Sequence, residues 1–131
     1  MTQGINHLGL AVRDLDASVA FFTDVLGWSE SGRDDSYPRS AVSDGTSRLT
    51  LWQVAQEPAP RAFDRRQNIG LHHLALEVAT RAELDEMNDR IRAYPGATIE
   101  FAPEPMGQGP RHHMMFAEPG GIRLELVWPG E

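Results

Sequence analysis

One short pattern occurs twice in this chain, and this repetition constrains the fold more than any other feature of the sequence. Residues 6–12 align with residues 72–78, and in both segments a histidine, His7 or His73, precedes a strict alternation of apolar side chains with small or polar ones. An apolar residue at every second position is typical of a strand that buries one face. The sequence therefore predicts two equivalent strands, one in each copy of a duplicated unit.

The segments that follow these two strands also match each other. Residues 15–26 carry apolar side chains at helical spacing, and so do residues 84–91. Thr80 and Glu83 have the spacing of a capping box, in which each side chain accepts a hydrogen bond from a backbone N–H at the helix N-terminus. We therefore predict one helix after each strand.

Both copies close with a matching strand. Residues 48–52 align with residues 123–127, and each segment follows a turn that contains glycine. A proline-bearing linker, residues 57–69, separates the copies. Since the element order is the same twice, we predict one α+β domain of all 131 residues, built from two tandem β-α-β-β-β modules, residues 1–56 and 70–131.

Composition and charge exclude several classes of function. The net charge of −7 argues against nucleic acid or an anionic membrane as a partner, because both require a basic surface. The chain has no cysteine and all 12 of its basic residues are arginine, which excludes thiolate, disulfide and lysine Schiff-base chemistry. No apolar segment reaches the roughly 20 residues of a membrane span, and no export signal is visible. The default expectation is a cytoplasmic protein with a small-molecule partner.

Three side chains are candidates for holding a metal ion. Strand alternation places His7 and His73 on the polar faces of equivalent strands. The repeat places Glu125 where the first copy has Thr50. Two imidazoles and one carboxylate, with other positions left to water or substrate, form the facial triad that suits Fe(II) and also accepts Mn, Co, Ni or Zn. Since Glu125 interrupts an apolar strand, where an unpaired carboxylate is costly, we predict one divalent metal ion bound by these three side chains.

An arginine is the alternative neighbour for the carboxylate of Glu125, because an ion pair also offsets the cost of burial. The candidate arginines are Arg48, Arg111 and Arg123. His72 has the opposite strand parity from His73, so we expect it to face outward or to have a structural role.

Residues 5–8, 70–74 and 118–126 look like the characteristic strands of the vicinal-oxygen-chelate superfamily. That superfamily includes glyoxalase I, extradiol dioxygenases, fosfomycin-resistance transferases, methylmalonyl-CoA epimerase and bleomycin-binding proteins. The resemblance implies curved mixed sheets around a metal-binding cleft. It also implies that two oxygens of the substrate chelate the metal, which stabilises an enolate-like state.

Comparison with individual members of the superfamily reduces the number of reactions that are expected. Glyoxalase I has a glutamate, both ligand and base, where Thr50 stands, and threonine is not a base near neutral pH. Methylmalonyl-CoA epimerase usually has an amide at that position. Fosfomycin transferases have a threonine at Gly9 and a tyrosine at Met115, so their chemistry is not expected. Extradiol dioxygenases share the three-ligand set, although they too commonly have a tyrosine at Met115.

The resemblance therefore implies a metal-dependent lyase or isomerase, related to glyoxalase, that acts on a small oxygen-rich metabolite. A ring-cleaving dioxygenase is the first alternative, and a metal-free protein that binds a bleomycin-like drug is the second. Two-module relatives commonly dimerise, so a homodimer is also implied. In that arrangement His7 comes from one chain, and His73 with Glu125 from the other; a cleft within one chain is the alternative.

Strand alternation also predicts residues that line the cleft. If Met115 faces the cleft, as in the superfamily, His113 and Arg111 face it too. His113 and Arg111 are then candidate catalytic residues, His113 as an acid/base or hydrogen-bond donor and Arg111 as a partner for an anion or oxyanion. The alternative for His113 is that it only packs or meets solvent. Thr50 and Trp52 share strand parity, and we expect them to contact the substrate together with Met115, with Trp52 as an apolar or stacking surface. A plain core role for Trp52 is the alternative.

Overall fold

The computed structural model describes all 131 residues, and the chain divides into two compact units, Met1–Arg61 and Ala62–Glu131. The first unit contains β1 (Leu8–Val12), α1 (Leu15–Asp24), β2 (Ser29–Asp34), β3 (Arg39–Ser43) and β4 (Arg48–Gln53). The second unit contains β5 (Leu74–Glu77), α2 (Arg81–Ala93), β6 (Thr98–Pro105), β7 (His112–Ala117) and β8 (Arg123–Trp128). Neither helix has the length and apolar character needed to cross a membrane.

The two four-stranded sheets have the same topology. Their strand orders are β1-β4-β3-β2 and β5-β8-β7-β6, so the last strand of each unit lies next to the first. In both sheets that pair is parallel and the other pairs are antiparallel. A parallel pair needs a crossover connection, and the helix after the first strand is part of it. The predicted α+β fold of two β-α-β-β-β modules is confirmed.

The hydrogen-bond registers show that the parallel strand pairs of the two modules are equivalent residue by residue. In the first sheet Gly9 lies opposite Thr50. In the second sheet Ala75 lies opposite Glu125. The alignment of the two copies equates Gly9 with Ala75, so Thr50 and Glu125 occupy the same position of the repeated fold.

Alternation along β7 and β8 separates the core face of the second sheet from the face that carries Glu125. The core residues of these strands, at most 2% exposed, are Met114, Phe116, Leu124 and Leu126. Helix α2 packs against both strands and buries Leu84 and Ile91 completely. Because successive side chains of a strand point to opposite faces, Glu125 lies on the face away from this helix.

A buried carboxylate holds the turn before β8. Glu118 is 2% exposed, and its side chain accepts hydrogen bonds from the backbone N–H groups of Gly120 at 2.7 Å and Ile122 at 3.0 Å. These bonds give partners to backbone donors in the turn. They therefore fix the start of the strand that carries Glu125.

The predicted capping box is present at the N-terminus of α2. The Thr80 hydroxyl accepts a hydrogen bond from the N–H of Glu83 at 3.1 Å, and the Glu83 carboxylate accepts one from the N–H of Thr80 at 3.0 Å. We expect Thr80→Ala to lower the free energy of unfolding by about 1 kcal/mol, measured by urea denaturation. Thr80→Ser keeps the acceptor oxygen and should retain most of the stability. Equal losses in the two variants would contradict the capping role.

Candidate metal centre

The carboxylate of Glu125 is buried and contacts two imidazoles. Glu125 is 4% exposed. Its Oε1 lies 3.3 Å from Nε2 of His73, and its Oε2 lies 2.5 Å from Nδ1 of His113. A buried carboxylate without a partner is strongly unfavourable, and here His113 is a partner at hydrogen-bond distance. Arg123, one of the three candidate arginines, pairs with Glu100 at 2.7 Å instead.

The strand order explains why these three side chains meet. Strand β8 lies between β5 and β7. His73 directly precedes β5, and His113 lies on β7. Met115 is the direct cross-strand partner of Glu125, and alternation puts His113, two residues away, on the same face. Each neighbour of β8 therefore brings one histidine to Glu125.

The spacing of His73 and Glu125 fits two ligands of one metal ion. Metal–ligand bonds of about 2.1 Å at tetrahedral or octahedral angles separate two donor atoms by about 3.0 to 3.4 Å. The distance between Nε2 of His73 and Oε1 of Glu125 is 3.3 Å. Since Fe, Mn, Co, Ni and Zn all accept an imidazole nitrogen with a carboxylate oxygen, a divalent ion fits these residues.

His7, the third predicted ligand, belongs to the first unit. It directly precedes β1 and is exposed, and its Nδ1 lies 2.8 Å from Oδ1 of Asn6. No group of three or more His, Cys, Asp or Glu side chains in the chain is arranged to hold a metal ion. The structure therefore brings together two of the three predicted ligands, His73 and Glu125.

His72 is exposed, and its ring contacts the ring of His73. The two Nδ1 atoms are 2.7 Å apart, and the rings meet edge-on with centroids separated by 5.0 Å. Nη1 of Arg123 lies 3.4 Å from the same His72 nitrogen. Desolvation, followed by the positive charge of Arg123, lowers the pKa of His72. Hydrogen bonds from Arg123 lower the pKa of the Glu100 carboxyl.

The candidate substrate residues of the first unit form an aromatic surface. The indole N–H of Trp52 donates to the buried hydroxyl of Thr50 at 3.0 Å. Glycine at position 9 leaves room for this pair, because a Cβ on Gly9 would lie 3.3 Å from the Thr50 oxygen. Tyr37 packs edge-on against Trp52 with centroids 5.0 Å apart, and the guanidinium of Arg39 lies 5.5 Å from the indole. The surface therefore offers both stacking and positive charge.

The other predicted site residues lie on or beside β7. Met115 is 5% exposed. His113 packs against the ring of Phe101, with centroids 4.9 Å apart, in addition to its contact with Glu125. Arg111 is exposed and stands just before the strand begins. Of the two catalytic candidates, the structure places His113 in the group around Glu125.

Three side chains near these residues were missed by the sequence analysis: Tyr37, Arg39 and Phe101. The register of β3 with β4 makes Arg39 the direct partner of Trp52, and counting alternation back from the hairpin turn would have found it. Tyr37 lies in the turn before β3, where side-chain direction does not follow alternation. Phe101 lies beside a register irregularity in β6, which the sequence pattern does not reveal.

Comparison with proteins of known sequence identifies related families. The family model described as Glyoxalase/Bleomycin resistance protein/Dioxygenase superfamily matches residues 4–126. A 2-epi-5-epi-valiolone epimerase from Actinomyces sp. is 30% identical to this chain, over 94% of this chain and 78% of the epimerase.

Solved structures with the same fold extend this comparison. A glyoxylase/bleomycin resistance protein/dioxygenase domain from Frankia sp. EAN1pec is similar with a TM-score of 0.82 and 26% identity, over 100% of this chain and 94% of that domain. A variant of the fosfomycin resistance protein FosX from Listeria monocytogenes, crystallised with Mn(II) and 1S,2S-dihydroxypropylphosphonic acid, has a TM-score of 0.76 and 20% identity, over 98% of this chain and 93% of FosX.

Proposed function

Because the chain belongs to the Glyoxalase/Bleomycin resistance protein/Dioxygenase superfamily, we propose that it is an enzyme that uses one divalent metal ion and acts on a small oxygen-rich metabolite. The leading reaction class is lyase or isomerase chemistry by proton transfer next to a carbonyl group. The observation that carries the proposal is the buried Glu125 carboxylate, 3.3 Å from Nε2 of His73. A relative named as an epimerase supports the reaction class. A protein of the same fold that was crystallised with Mn(II) supports the use of a divalent metal ion.

The residues near Glu125 have distinct proposed roles. His73 and Glu125 would hold the ion together with His7. When bound, a divalent ion supplies Lewis-acid stabilisation of negative charge on substrate oxygens. Nδ1 of His113 donates a hydrogen bond to the Glu125 carboxylate, which leaves Nε2 of His113 free to accept a proton from the substrate.

The substrate is proposed to contact four further residues. Trp52 offers an indole ring with the Arg39 guanidinium over it, which suits a planar or ring-containing molecule with an anionic group. The Thr50 hydroxyl keeps acceptor and donor capacity after it accepts the indole N–H. Met115 supplies an apolar wall beside Glu125, and the exposed guanidinium of Arg111 would attract an anionic substituent.

Reconstitution of the metal-free protein tests the metal requirement. The protein is incubated anaerobically with Fe(II), Mn(II), Ni(II), Co(II) or Zn(II), separated from free ions, and submitted to elemental analysis. We expect about one bound ion per chain with at least one of these metals. The Co(II) absorption spectrum should show nitrogen and oxygen ligands. A protein that binds none of the ions would contradict the proposal and favour a metal-free drug-binding function.

We expect His113→Gln to slow proton transfer by about 100- to 10,000-fold, because it removes a positioned general base. The measurement is deuterium incorporation from D₂O into a panel of α-hydroxyketones by the Zn(II)-loaded protein, followed by NMR. His112→Gln is the matched control, since His112 has the opposite strand parity and its Nδ1 lies 2.8 Å from the Pro110 carbonyl oxygen. An exchange rate that His113→Gln leaves unchanged would contradict the catalytic role.

A ring-cleaving dioxygenase is the second candidate, and one observation favours it. Thr50, at the position equivalent to Glu125, is hydrogen-bonded by Trp52 at 3.0 Å and offers no fourth carboxylate ligand. Three protein ligands with open positions suit Fe(II) oxygenases. Oxygen uptake by the Fe(II)-loaded protein with catechol, without deuterium exchange into hydroxyketones, would select this function over the leading one.

We also propose a homodimer in which each metal site combines His7 of one chain with His73 and Glu125 of the other. The ligand set is divided between the units, since His7 lies in the first and the other two lie in the second. A two-fold symmetric pair of chains then forms two equivalent sites. Sedimentation that detects only monomers at micromolar concentration would contradict this arrangement.

A further inference from the structure

The residues directly before the two candidate histidine ligands form matching hydrogen bonds with them. We propose that these residues are positioning residues, which hold each imidazole with Nδ1 protonated and the Nε2 lone pair free for a metal ion. They are Asn6, before His7, and His72, before His73. The inference rests on the proposed metal site, and it adds the groups that select the binding form of its ligands.

In the second module, a contact with Arg123 fixes the direction of the hydrogen bond between His72 and His73. Nδ1 of His72 lies 2.7 Å from Nδ1 of His73, so one of these nitrogens must donate and the other accept. Nη1 of Arg123 lies 3.4 Å from the same His72 nitrogen, and a guanidinium has donors only. The His72 nitrogen is therefore the acceptor, and Nδ1 of His73 carries the proton.

The guanidinium that imposes this direction is itself fixed. Arg123 makes a bidentate pair with Glu100, with Nε to Oε1 at 3.0 Å and Nη2 to Oε2 at 2.7 Å. Arg65 lies 3.9 Å from the same carboxylate. Two parallel charge-assisted hydrogen bonds hold the plane of the guanidinium. Arg123 therefore keeps one N–H directed at His72.

With the Nδ1 proton on His73, its other nitrogen is available as a ligand. Nε2 of His73 faces Oε1 of Glu125 at 3.3 Å. A nitrogen lone pair and a carboxylate oxygen repel each other unless a positive charge lies between them. The His72 contact therefore favours a cation at this point.

The first module makes the same arrangement from a different residue. Nδ1 of His7 lies 2.8 Å from the carboxamide oxygen of Asn6, which is an acceptor, so Nδ1 carries the proton here as well. Oδ1 of asparagine and Nδ1 of histidine are both bonded to Cγ, so the two acceptors occupy equivalent places. Two unrelated side chains thus provide one hydrogen bond at repeated positions of the fold.

A hydrogen bond to the other ring nitrogen of a ligating histidine raises its metal affinity. Such partners fix the tautomer and the ring orientation, and their loss typically weakens metal binding by about 10- to 100-fold. In the second module we therefore expect removal of the acceptor to weaken binding by this factor, and its replacement by asparagine to restore the affinity.

The test compares His72→Leu, which removes the acceptor, with His72→Asn, which restores the acceptor that the first module uses. The first readout is the ¹⁵N NMR signal of the His73 ring in metal-free protein at alkaline pH. We expect Nδ1 to be protonated in the parent and in His72→Asn, and unprotonated in His72→Leu. The second readout is Zn(II) affinity, measured by competition with a chromophoric chelator, which should fall about 10- to 100-fold in His72→Leu only.

Controls separate this inference from the proposed function. His112→Leu alters the histidine beside His113 and should change neither readout. If the parent binds no Zn(II), the proposed function fails, whereas the ¹⁵N signals still decide the hydrogen-bond direction. The positioning role is overturned if Nδ1 of His73 is protonated equally in His72→Leu and the parent, or if His72→Asn behaves like His72→Leu.

Discussion

Replacing Glu125 with alanine is expected to abolish tight metal binding. The Zn(II) affinity should fall by at least about 100-fold, because loss of even an indirect partner of a ligand costs about 10- to 100-fold. The variant loses the oxygen that faces Nε2 of His73 at 3.3 Å and the acceptor for His113. Chelator competition and elemental analysis measure the binding. Deuterium exchange into α-hydroxyketones should fall to the uncatalysed rate.

Two further variants make the Glu125 result specific. Glu125→Gln keeps the size of the side chain but removes its charge, and it should also lose tight binding. Glu77→Ala removes an exposed carboxylate from the neighbouring strand β5 and should bind metal like the parent. Parental affinity in Glu125→Ala would disprove the metal site.

The second large effect is expected when two inactive variants are mixed. His7→Ala and Glu125→Ala should each bind metal poorly alone. In a dimer with shared sites, a mixed pair has one intact site, formed by His7 of one variant and His73 with Glu125 of the other. Random exchange of chains should then restore about a quarter of the parental metal content.

The mixing experiment also decides which arrangement of the site is correct. The chains are exchanged by mild denaturation and refolding, and metal content is measured by elemental analysis before and after. Mixing His73→Ala with Glu125→Ala is the matched control, because both changes affect the same half of the site and no recovery is expected. If the parent binds metal as a dimer but the mixture of His7→Ala with Glu125→Ala recovers no metal content, the site is not shared between chains. That result would favour a site within one chain.

The fold was predictable from the sequence because the duplication supplies its own alignment. Matching residues 6–12 with 72–78 and residues 48–52 with 123–127 predicted the first and last strands of each module, whereas their parallel pairing comes from the structure. The equivalence of Thr50 and Glu125 followed from the same alignment, and the registers opposite Gly9 and Ala75 agree with it. A pattern repeated in the same order shows which positions of the two modules are equivalent, which a single amphipathic strand does not show.

The details of the candidate site were less predictable, since they depend on contacts outside regular strands. Strand parity directed His72 away from the cleft, but β5 begins only at Leu74. His72 therefore lies before the strand, where alternation does not set the direction of its side chain. Its ring contacts His73 although it remains exposed. Likewise, the partner of Arg123 is Glu100, 23 residues earlier in the chain. Only the register of the folded sheet defines that pair.

The side chains that contact Glu125 also needed the structure. Sequence alone showed that a carboxylate on an apolar strand requires a partner. It did not show that β8 lies between two strands that each bring a histidine to Glu125. The predicted roles of Thr50, Trp52 and Met115 in substrate binding, and of His113 and Arg111 in catalysis, remain predictions.

The equivalence of Thr50 and Glu125 has an evolutionary consequence. Because the same sheet position exists twice, one copy can change while the other is kept. In the first half that position belongs to the aromatic surface with Trp52, and in the second half it is a carboxylate. Mutation can therefore alter the surface of one half without changing the carboxylate of the other.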